Sequence, residues 1–331
     1  MIITRTPFRI SFFGGGSDYP VWLKENPGAV LSTTIDKFCY ITCRYLPPFF
    51  TYKHRIVYSR TEHVGSLAEV RHPSVRECLR LLKIREGLEI HHDGDLPART
   101  GIGSSSSFTV GLLNCLNALK GGMTSKAQLA AQAIRVEQDL IGESVGCQDQ
   151  IAASYGGFNL IELRSKADFR VTPVTLAPAR LAAFKSHLML FFTGFSRTAE
   201  FIAREQVRRT PSKTREIRTL YDMVFRAVDI LNRKPMADFG ALLHEAWMLK
   251  RGLTDQTSTP QIDAIYSRGR RAGALGGKLL GAGGGGFMLL FVPPCKRRSV
   301  RKALKDLLHV PFSFESQGSQ VIVYRPEEKL G

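Results

Sequence analysis

The sequence of 331 residues has no long hydrophobic run and only six cysteines. Its longest apolar runs, 188–192 and 287–292, have the length of a strand, and no apolar N-terminal segment follows a basic stretch. These absences argue against a signal peptide and a membrane span, so we expect a cytoplasmic protein without a membrane partner. No CxxC pair is present, and we expect the cysteines to be reduced packing residues.

Acidic residues are also scarce, because 29 Asp and Glu stand against 46 Lys and Arg, which gives a net charge of +17. A polyanion partner, small anionic substrates and a solvated basic surface each explain such an excess. The basic residues are spread along the chain, with local clusters at 204–215, 268–271 and 296–305. There is neither an RNA-binding aromatic motif nor zinc-finger spacing, so we expect no nucleic-acid partner.

Glycine is plentiful, and its most informative cluster lies in residues 97–112. Gly101 and Gly103 permit backbone conformations that other residues avoid, and they are followed by four serines and an apolar run typical of a buried helix, 108–119. Serine favours the N-cap, and a helix N-terminus binds phosphate through its free N–H groups. The loop matches neither the Walker A pattern nor G-x-G-x-x-G. A Gly-Ser loop that caps an ordinary core helix explains the pattern equally well.

The remaining patterns divide the chain into two α+β halves, which we predict as domains 1–175 and 176–331. Residues 1–12 alternate like a strand and lead into a turn-rich loop, 14–20. Ser125-x-x-Gln128 is a capping box that opens a helix, and Thr259-Pro260, an N-cap with proline at the first helical position, opens another. A short helix flanked by glycines is predicted within 145–157.

Three glycine-rich loops, at 14–16, 101–107 and 281–286, stand in one chain. With their neighbours, these loops resemble the three motifs of the GHMP kinases. Residues 6–19 are similar to the substrate-binding motif of the sugar kinases, 97–106 to the nucleotide phosphate loop, and 278–287 to the third motif. The resemblance implies the α+β, two-domain GHMP kinase fold. It also implies a left-handed β-α-β crossover in the N-terminal half, a ferredoxin-like C-terminal half, and ATP and Mg²⁺ bound between the two.

The resemblance also implies roles for individual residues. Asp149 matches the catalytic aspartate and Arg9 the arginine that neutralises the transferring phosphoryl group, although a helix N-terminal charge and a strand-edge arginine are the structural alternatives. Ser105 and Glu137 match the magnesium ligands, and a solvated helix position is the alternative for Glu137. The residues that match the phosphate loop are Gly101, Ile102, Gly103, Ser104, Ser105 and Ser106.

On the sugar side, Asp18 matches an aspartate that accepts hydrogen bonds from sugar hydroxyls, although it could equally be a turn aspartate. Gly15 and Gly16 stand where galactokinase has a glutamate and a histidine, which favours a bulkier or phosphorylated sugar. Arg197 matches an arginine of the heptose and fucose kinases and is a candidate for the distal phosphate, with surface pairing as the alternative. The other candidates are Ser17, Gly283 and Gly284 for the sugar, and Lys278 for an anion.

Within the family, the pattern around 14–18, 148–150, 156–159 and 192–197 is similar to the bacterial D-glycero-D-manno-heptose 7-phosphate kinases. That similarity implies phosphorylation of the anomeric hydroxyl of this sugar to the 1,7-bisphosphate, for nucleotide-heptose used in capsule or lipopolysaccharide. A kinase for a neutral hexose (fucose, mannose or galactose) and a non-catalytic sensor of the same fold remain alternatives. A homodimer is left open.

Overall fold

The computed structural model describes residues 1–194 and 199–326. The strands are β1 (Ile2–Phe13), β2 (Gly28–Tyr45), β3 (His54–Val57), β4 (Thr61–Val64), β5 (Leu88–Gly94), β6 (Phe158–Leu163), β7 (Phe169–Pro173), β8 (Leu188–Gly194), β9 (Gly276–Leu279), β10 (Gly286–Phe291), β11 (Leu308–His309), β12 (Phe314–Glu315) and β13 (Gln320–Tyr324). The helices are α1 (Pro20–Leu23), α2 (Pro73–Leu81), α3 (Ser104–Leu119), α4 (Lys126–Ile134), α5 (Gln148–Tyr155), α6 (Pro178–Ser186), α7 (Ala199–Arg209), α8 (Thr214–Arg233), α9 (Met236–Arg251), α10 (Pro260–Arg271) and α11 (Arg297–Ala303).

In the described part of the chain, nine strands form one mixed sheet with the order β13-β1-β2-β5-β3-β4, and β2 also pairs with β12 and β6. β3 and β5 run parallel, and the connection between them contains β4 and α2, which makes a β-α-β crossover. The left hand expected for this crossover stays a prediction. The last two strands of the chain pair with β1 and β2. The C-terminal segment therefore belongs to the first sheet by its hydrogen bonds, and the boundary at residue 175 remains a proposal.

The second sheet contains four strands within the described residues, in the order β11-β8-β10-β9. In chain order this is the 4-1-3-2 arrangement of the ferredoxin-like β-α-β-β-α-β unit, with α7 to α10 in the first connection and α11 in the second. The structure thus confirms an α+β chain with a ferredoxin-like C-terminal half.

Edge-to-face phenylalanine rings join the two halves. The ring of Phe12 on β1 lies 5.5 Å from that of Phe184 on α6 and 5.8 Å from that of Phe239 on α9. All three rings are at most 1% exposed. Such pairs add about 0.5–1.5 kcal/mol each to the free energy of burying the rings. The halves therefore share one apolar core, which holds the groups on β1 in a fixed position relative to α9.

Two helix starts agree with the predictions made from the sequence, and a third does not. The capping box of Ser125 and Gln128 is formed in both directions, and the Thr259 side chain accepts a hydrogen bond from the Ile262 N–H ahead of Pro260. In α3, however, the N-cap is Gly103 and no side chain caps the helix. The prediction of a serine cap is wrong, because Gly103 takes the left-handed conformation with φ 75° and starts the helix at Ser104.

The cysteines form no disulfide bond, and no helix among the described residues is suited to span a membrane. All six cysteines are free, and five of them are buried. Cys39 and Cys43 both lie on the buried side of β2, as their spacing predicts. Across residues 1–194 and 199–326, every helix is too short or too polar to cross a bilayer.

Candidate active site

The loop before α3 has a backbone that other groups can approach closely. Gly101 and Gly103 have φ values of +82° and +75°. A Cβ on Gly101 would lie 2.3 Å from the carbonyl oxygen of Leu280, so the glycine is required by contact as well as by φ. The loop leads directly into α3, whose first-turn N–H groups and partial positive charge favour an anion there.

The third glycine-rich loop lies against this phosphate loop. A Cβ on Gly281 would lie 2.4 Å from the Cα of Gly101, and one on Gly283 would lie 2.5 Å from the carbonyl oxygen of Thr257. The N–H of Gly284 donates to the same Thr257 oxygen at 3.2 Å. Glycines in this run therefore permit close approach between backbones as well as to a ligand. The predicted sugar contacts of Gly283 and Gly284 stay predictions.

Arg9 and Asp149 form a bidentate ion pair beside the phosphate loop. Arg9 donates from Nε and Nη2 to the two carboxylate oxygens of Asp149, both at 2.7 Å, and from Nη1 to the carbonyl oxygen of Gly101 at 2.6 Å. The Arg9 side chain is 6% exposed and that of Asp149 is 23% exposed. A Cβ on Gly103 would lie 3.1 Å from the Arg9 side chain. The geometry thus brings together the two predicted catalytic residues and the phosphate loop.

Asp18 lies behind Asp149 and is almost fully buried. Its oxygens accept from the N–H groups of Gly16 at 3.0 Å and Gln148 at 3.4 Å. Burial raises the pKa of Asp18, and the nearby negative charge of Asp149 raises it further. A Cβ on Gly146 would lie 1.8 Å from a carboxylate oxygen of Asp18, so this position must be glycine. Sequence reasoning missed Gly146, whose only signal was its place before the short helix.

The Ser17 hydroxyl is held inside the loop around Asp18. It is fully buried, lies 2.8 Å from the carbonyl oxygen of Gly14 and accepts from the N–H of Ala29 at 3.1 Å. Gly16 faces open space, since a Cβ there would meet nothing within 4 Å, whereas one on Gly15 would lie 3.8 Å from the Gln148 side-chain nitrogen. The sugar contacts expected of Gly15, Gly16 and Ser17 stay predictions.

Glu137 is fully buried, and its carboxylate contacts Ser106. Its Oε2 accepts from the Ser106 hydroxyl at 2.8 Å and from the Gln150 side chain. Ser105, the serine predicted as a magnesium ligand, is exposed. Successive helical residues point about 100° apart, so Ser105 and Ser106 face different directions. The magnesium roles of Ser105 and Glu137 stay predictions.

The second oxygen of Glu137 is suited to a cation. Oε1 is buried and has no hydrogen-bond partner among the residues described. Burial, followed by the charge of Glu143, raises the pKa of Glu137 to about 8. No group of three or more His, Cys, Asp and Glu side chains forms a metal cluster in 1–194 and 199–326. Mg²⁺ commonly uses one or two carboxylates together with nucleotide phosphates, so a lone buried carboxylate fits it.

Two lysines approach this site from the C-terminal half. Lys278 is buried and donates to the carbonyl oxygen of Phe12 at 3.0 Å, which ties β9 to β1. Its predicted anion contact stays a prediction. Lys250, at the end of α9, donates to the carbonyl oxygen of Gly281. Burial and the charge of Arg9 lower the pKa of Lys250 to about 8.

Sequence reasoning missed Lys250 because it belongs to no motif. Its charge interacts with those of Arg9, Asp18 and Asp149, so it lies at the same centre as the predicted residues. Arg197, the other predicted cation, lies outside the described residues. The site thus has a backbone cradle for phosphate, a carboxylate held by an arginine, and a second buried carboxylate. Those are the parts that phosphoryl transfer needs.

Comparison with known proteins assigns this fold and site to a class. Residues 73–157 match the N-terminal domain of the GHMP kinases, and residues 227–309 match their C-terminal domain. The chain belongs to the GHMP kinase family. It is accordingly an ATP-dependent phosphotransferase.

Individual relatives resemble the chain at modest identity. The D-glycero-alpha-D-manno-heptose 7-phosphate kinase of Campylobacter jejuni is 26% identical over 96% of this chain and 97% of its own length. The mevalonate kinase of Methanothermobacter thermautotrophicus is 31% identical over 67% of this chain and 70% of its own. A D-glycero-D-manno-heptose 1-phosphate kinase of Bacteroides thetaiotaomicron has the same fold, with a TM-score of 0.80 and 21% identity, and the match covers 97% of this chain and 98% of that one.

Proposed function

We propose that this kinase transfers the γ-phosphoryl group of ATP to the anomeric hydroxyl of D-glycero-D-manno-heptose 7-phosphate and forms the 1,7-bisphosphate. The product would supply nucleotide-heptose for capsule or lipopolysaccharide. The observation that carries the transfer step is the Arg9–Asp149 pair, which stands between the phosphate loop and the loop that presents Asp18. Support for the heptose comes from the relative in Campylobacter jejuni, which matches nearly the whole chain.

Each side chain then has a defined task. Asp149 accepts the hydrogen bond of the attacking hydroxyl and takes its proton as the phosphoryl group transfers. Arg9 holds the carboxylate in one orientation through two hydrogen bonds, and its third hydrogen bond, to Gly101, fixes the guanidinium beside the phosphate loop. A fixed cation at this place stabilises the charge that spreads over the transferring oxygens.

Asp18 provides buried acceptor oxygens for sugar hydroxyls, and the loop N–H groups of 101–106 hold the triphosphate. Glu137 and a serine of 105–106 would hold Mg²⁺, which neutralises phosphate charge when it is bound. We assign these roles by the position of each residue and by its match to the family motifs.

The test is ATP consumption by the pure protein with Mg²⁺ on a panel of acceptors. The panel contains heptose 7-phosphate, unphosphorylated heptose, mannose, fucose, galactose and mevalonate. We expect heptose 7-phosphate to lead in kcat/KM by about a hundredfold, or roughly 2.7 kcal/mol of discrimination. Phosphorus NMR of the product should show two phosphate monoesters, one of them coupled to the anomeric proton.

Any of three results would contradict the proposal. A neutral hexose that performs as well as heptose 7-phosphate would leave only a hexose kinase. Mevalonate as the leading acceptor would exclude a sugar kinase altogether. Absence of turnover on every acceptor, with ATP bound, would favour the non-catalytic sensor.

A further inference from the structure

A small pocket lies beside the sugar loop, next to Gly16. A Cβ added at Gly16 would meet nothing within 4 Å, and one added at Gly15 would come no closer than 3.8 Å to a residue beyond its chain neighbours. The pocket extends from Gly16 and Tyr19 to Gln206, Arg209 and Lys213. Ile217 and Leu253 supply its apolar wall. Its volume is only about 10 Å³, so a substituent of the sugar would lie at its mouth beside Gly16 rather than inside it.

The basic side chains of this pocket come from the cluster at 204–215, which the catalytic site does not use. This stretch contains five Lys and Arg and a single acidic residue, Glu205. Arg209 and Lys213 are the two of these basic residues that line the pocket. They are half-buried, with 36% and 29% of their side chains exposed. Partial burial reduces screening by solvent and strengthens their attraction for an anion.

Both cations are held in place by carboxylates and still have donors to offer. Arg209 donates from Nε to Glu205 at 2.7 Å, and its Nη2 is 3.6 Å from a carboxylate oxygen of the exposed Asp255. Lys213 donates to Glu216 at 3.0 Å. A guanidinium carries five N–H donors and an ammonium three. Neither residue therefore uses its full donor capacity in these contacts.

The pocket borders the loops of the reaction centre. The N–H of Gly16 donates to Asp18 at 3.0 Å, so the residue at the mouth of the pocket also orients the sugar-binding carboxylate. The Tyr19 hydroxyl lies 3.3 Å from the Gln206 side-chain oxygen. Gln206 in turn donates to the carbonyl oxygen of Ala282 in the third glycine loop at 2.9 Å. Hydrogen bonds thus link the lining of the pocket to the sugar loop and to the third glycine loop.

We propose that Arg209 and Lys213 form a subsite for a phosphate monoester at the end of the substrate remote from the reacting hydroxyl. This inference rests on the proposed function and identifies the residues that make the enzyme selective for a phosphorylated sugar. Arginine matches phosphate oxygens with a planar pair of donors, and lysine adds a point charge. The bare backbone at Gly16 leaves the mouth of the pocket open to this group.

The experiment measures the selectivity ratio, which is kcat/KM on heptose 7-phosphate divided by kcat/KM on unphosphorylated heptose. The variants are Arg209→Met, Arg209→Lys and Lys213→Met. Arg208→Met is the matched control, because Arg208 also pairs with Glu205 but is 74% exposed and does not line the pocket. Melting temperatures are measured for every variant, and Lys213→Met carries the test if Arg209→Met does not fold.

We expect Arg209→Met to lower the ratio at least about tenfold, as loss of a charged hydrogen bond does, mainly through KM for the phosphorylated sugar. Lys213→Met should lower it less, Arg209→Lys should retain part of it, and Arg208→Met should stay within about twofold of wild type. Equal losses on both sugars, or equal ratios in Arg208→Met and Arg209→Met, would overturn the subsite alone. A wild-type ratio near one would overturn the proposed substrate and the subsite together.

Discussion

The buried carboxyl of Glu137 makes the stability of the metal-free protein depend on pH. Burial raises its pKa from 4.5 to about 8. Between these values the folded protein holds a proton that the unfolded chain has released. The contribution of Glu137 to the free energy of unfolding is therefore fully present at low pH and is lost as pH rises toward 8. In this range, each pH unit lowers the free energy of unfolding by about 1.4 kcal/mol, which amounts to about 2.7 kcal/mol between pH 5.5 and 7.5.

The perturbation is Glu137→Gln, which is isosteric with the protonated acid and cannot ionise. Urea unfolding of both proteins in EDTA, at several pH values, gives the slope of the free energy of unfolding against pH for each protein, and the two slopes are then compared. We expect wild type to lose about 2.7 kcal/mol relative to the variant across this window. Glu143→Gln removes the neighbouring charge that contributes to the shift and should flatten the wild-type slope near pH 7–8.

The same carboxylate must ionise to bind a cation, which gives an independent measurement. Mg²⁺ with a non-hydrolysable ATP analogue should abolish the slope in wild type, and calorimetry near pH 6.5 should detect proton release on binding. Identical slopes in wild type and Glu137→Gln would refute the reasoning. Proton release that persists in Glu137→Gln would assign the proton to another group.

Three further predictions concern the catalytic site. Asp149→Asn should lower kcat by about 10²–10⁴-fold with little change in ATP affinity, and steady-state rates near wild type would exclude Asp149 as the base. Gly101→Ala should cost at least about 2 kcal/mol more than Gly121→Ala in chemical unfolding, because both have positive φ but only the first meets a backbone oxygen at 2.3 Å. Equal costs would mean that φ alone matters. Lys250→Met should lower kcat/KM about tenfold or more, whereas Lys250→Arg should retain activity. Wild-type kcat/KM should decline above about pH 8, where Lys250 loses its charge, and Lys250→Arg should not show this decline; a decline that the variant keeps would assign that pKa elsewhere.

The sequence predicted a local feature wherever all the residues that form it lie in one short segment. The capping box at Ser125 and the Thr259-Pro260 helix start depend on contacts within one turn, so neighbouring residues suffice to predict them. The glycine loops are similar in this respect, because positive φ restricts the residue type at the position itself. Their order along the chain was enough to identify the family.

Contacts between distant segments are decided by the tertiary structure. Which serine faces Glu137 depends on how α3 packs against the π-helix at Arg135–Ile141, and the Ser17 hydroxyl is occupied because Ala29 lies across from it. Lys250 becomes part of the site only because the shared aromatic core sets the end of α9 against the glycine loops. Sequence alone predicted which segments supply candidate groups for phosphate and sugar. Packing decided which of those groups meet, because the neighbours of a side chain across the core belong to other segments of the chain.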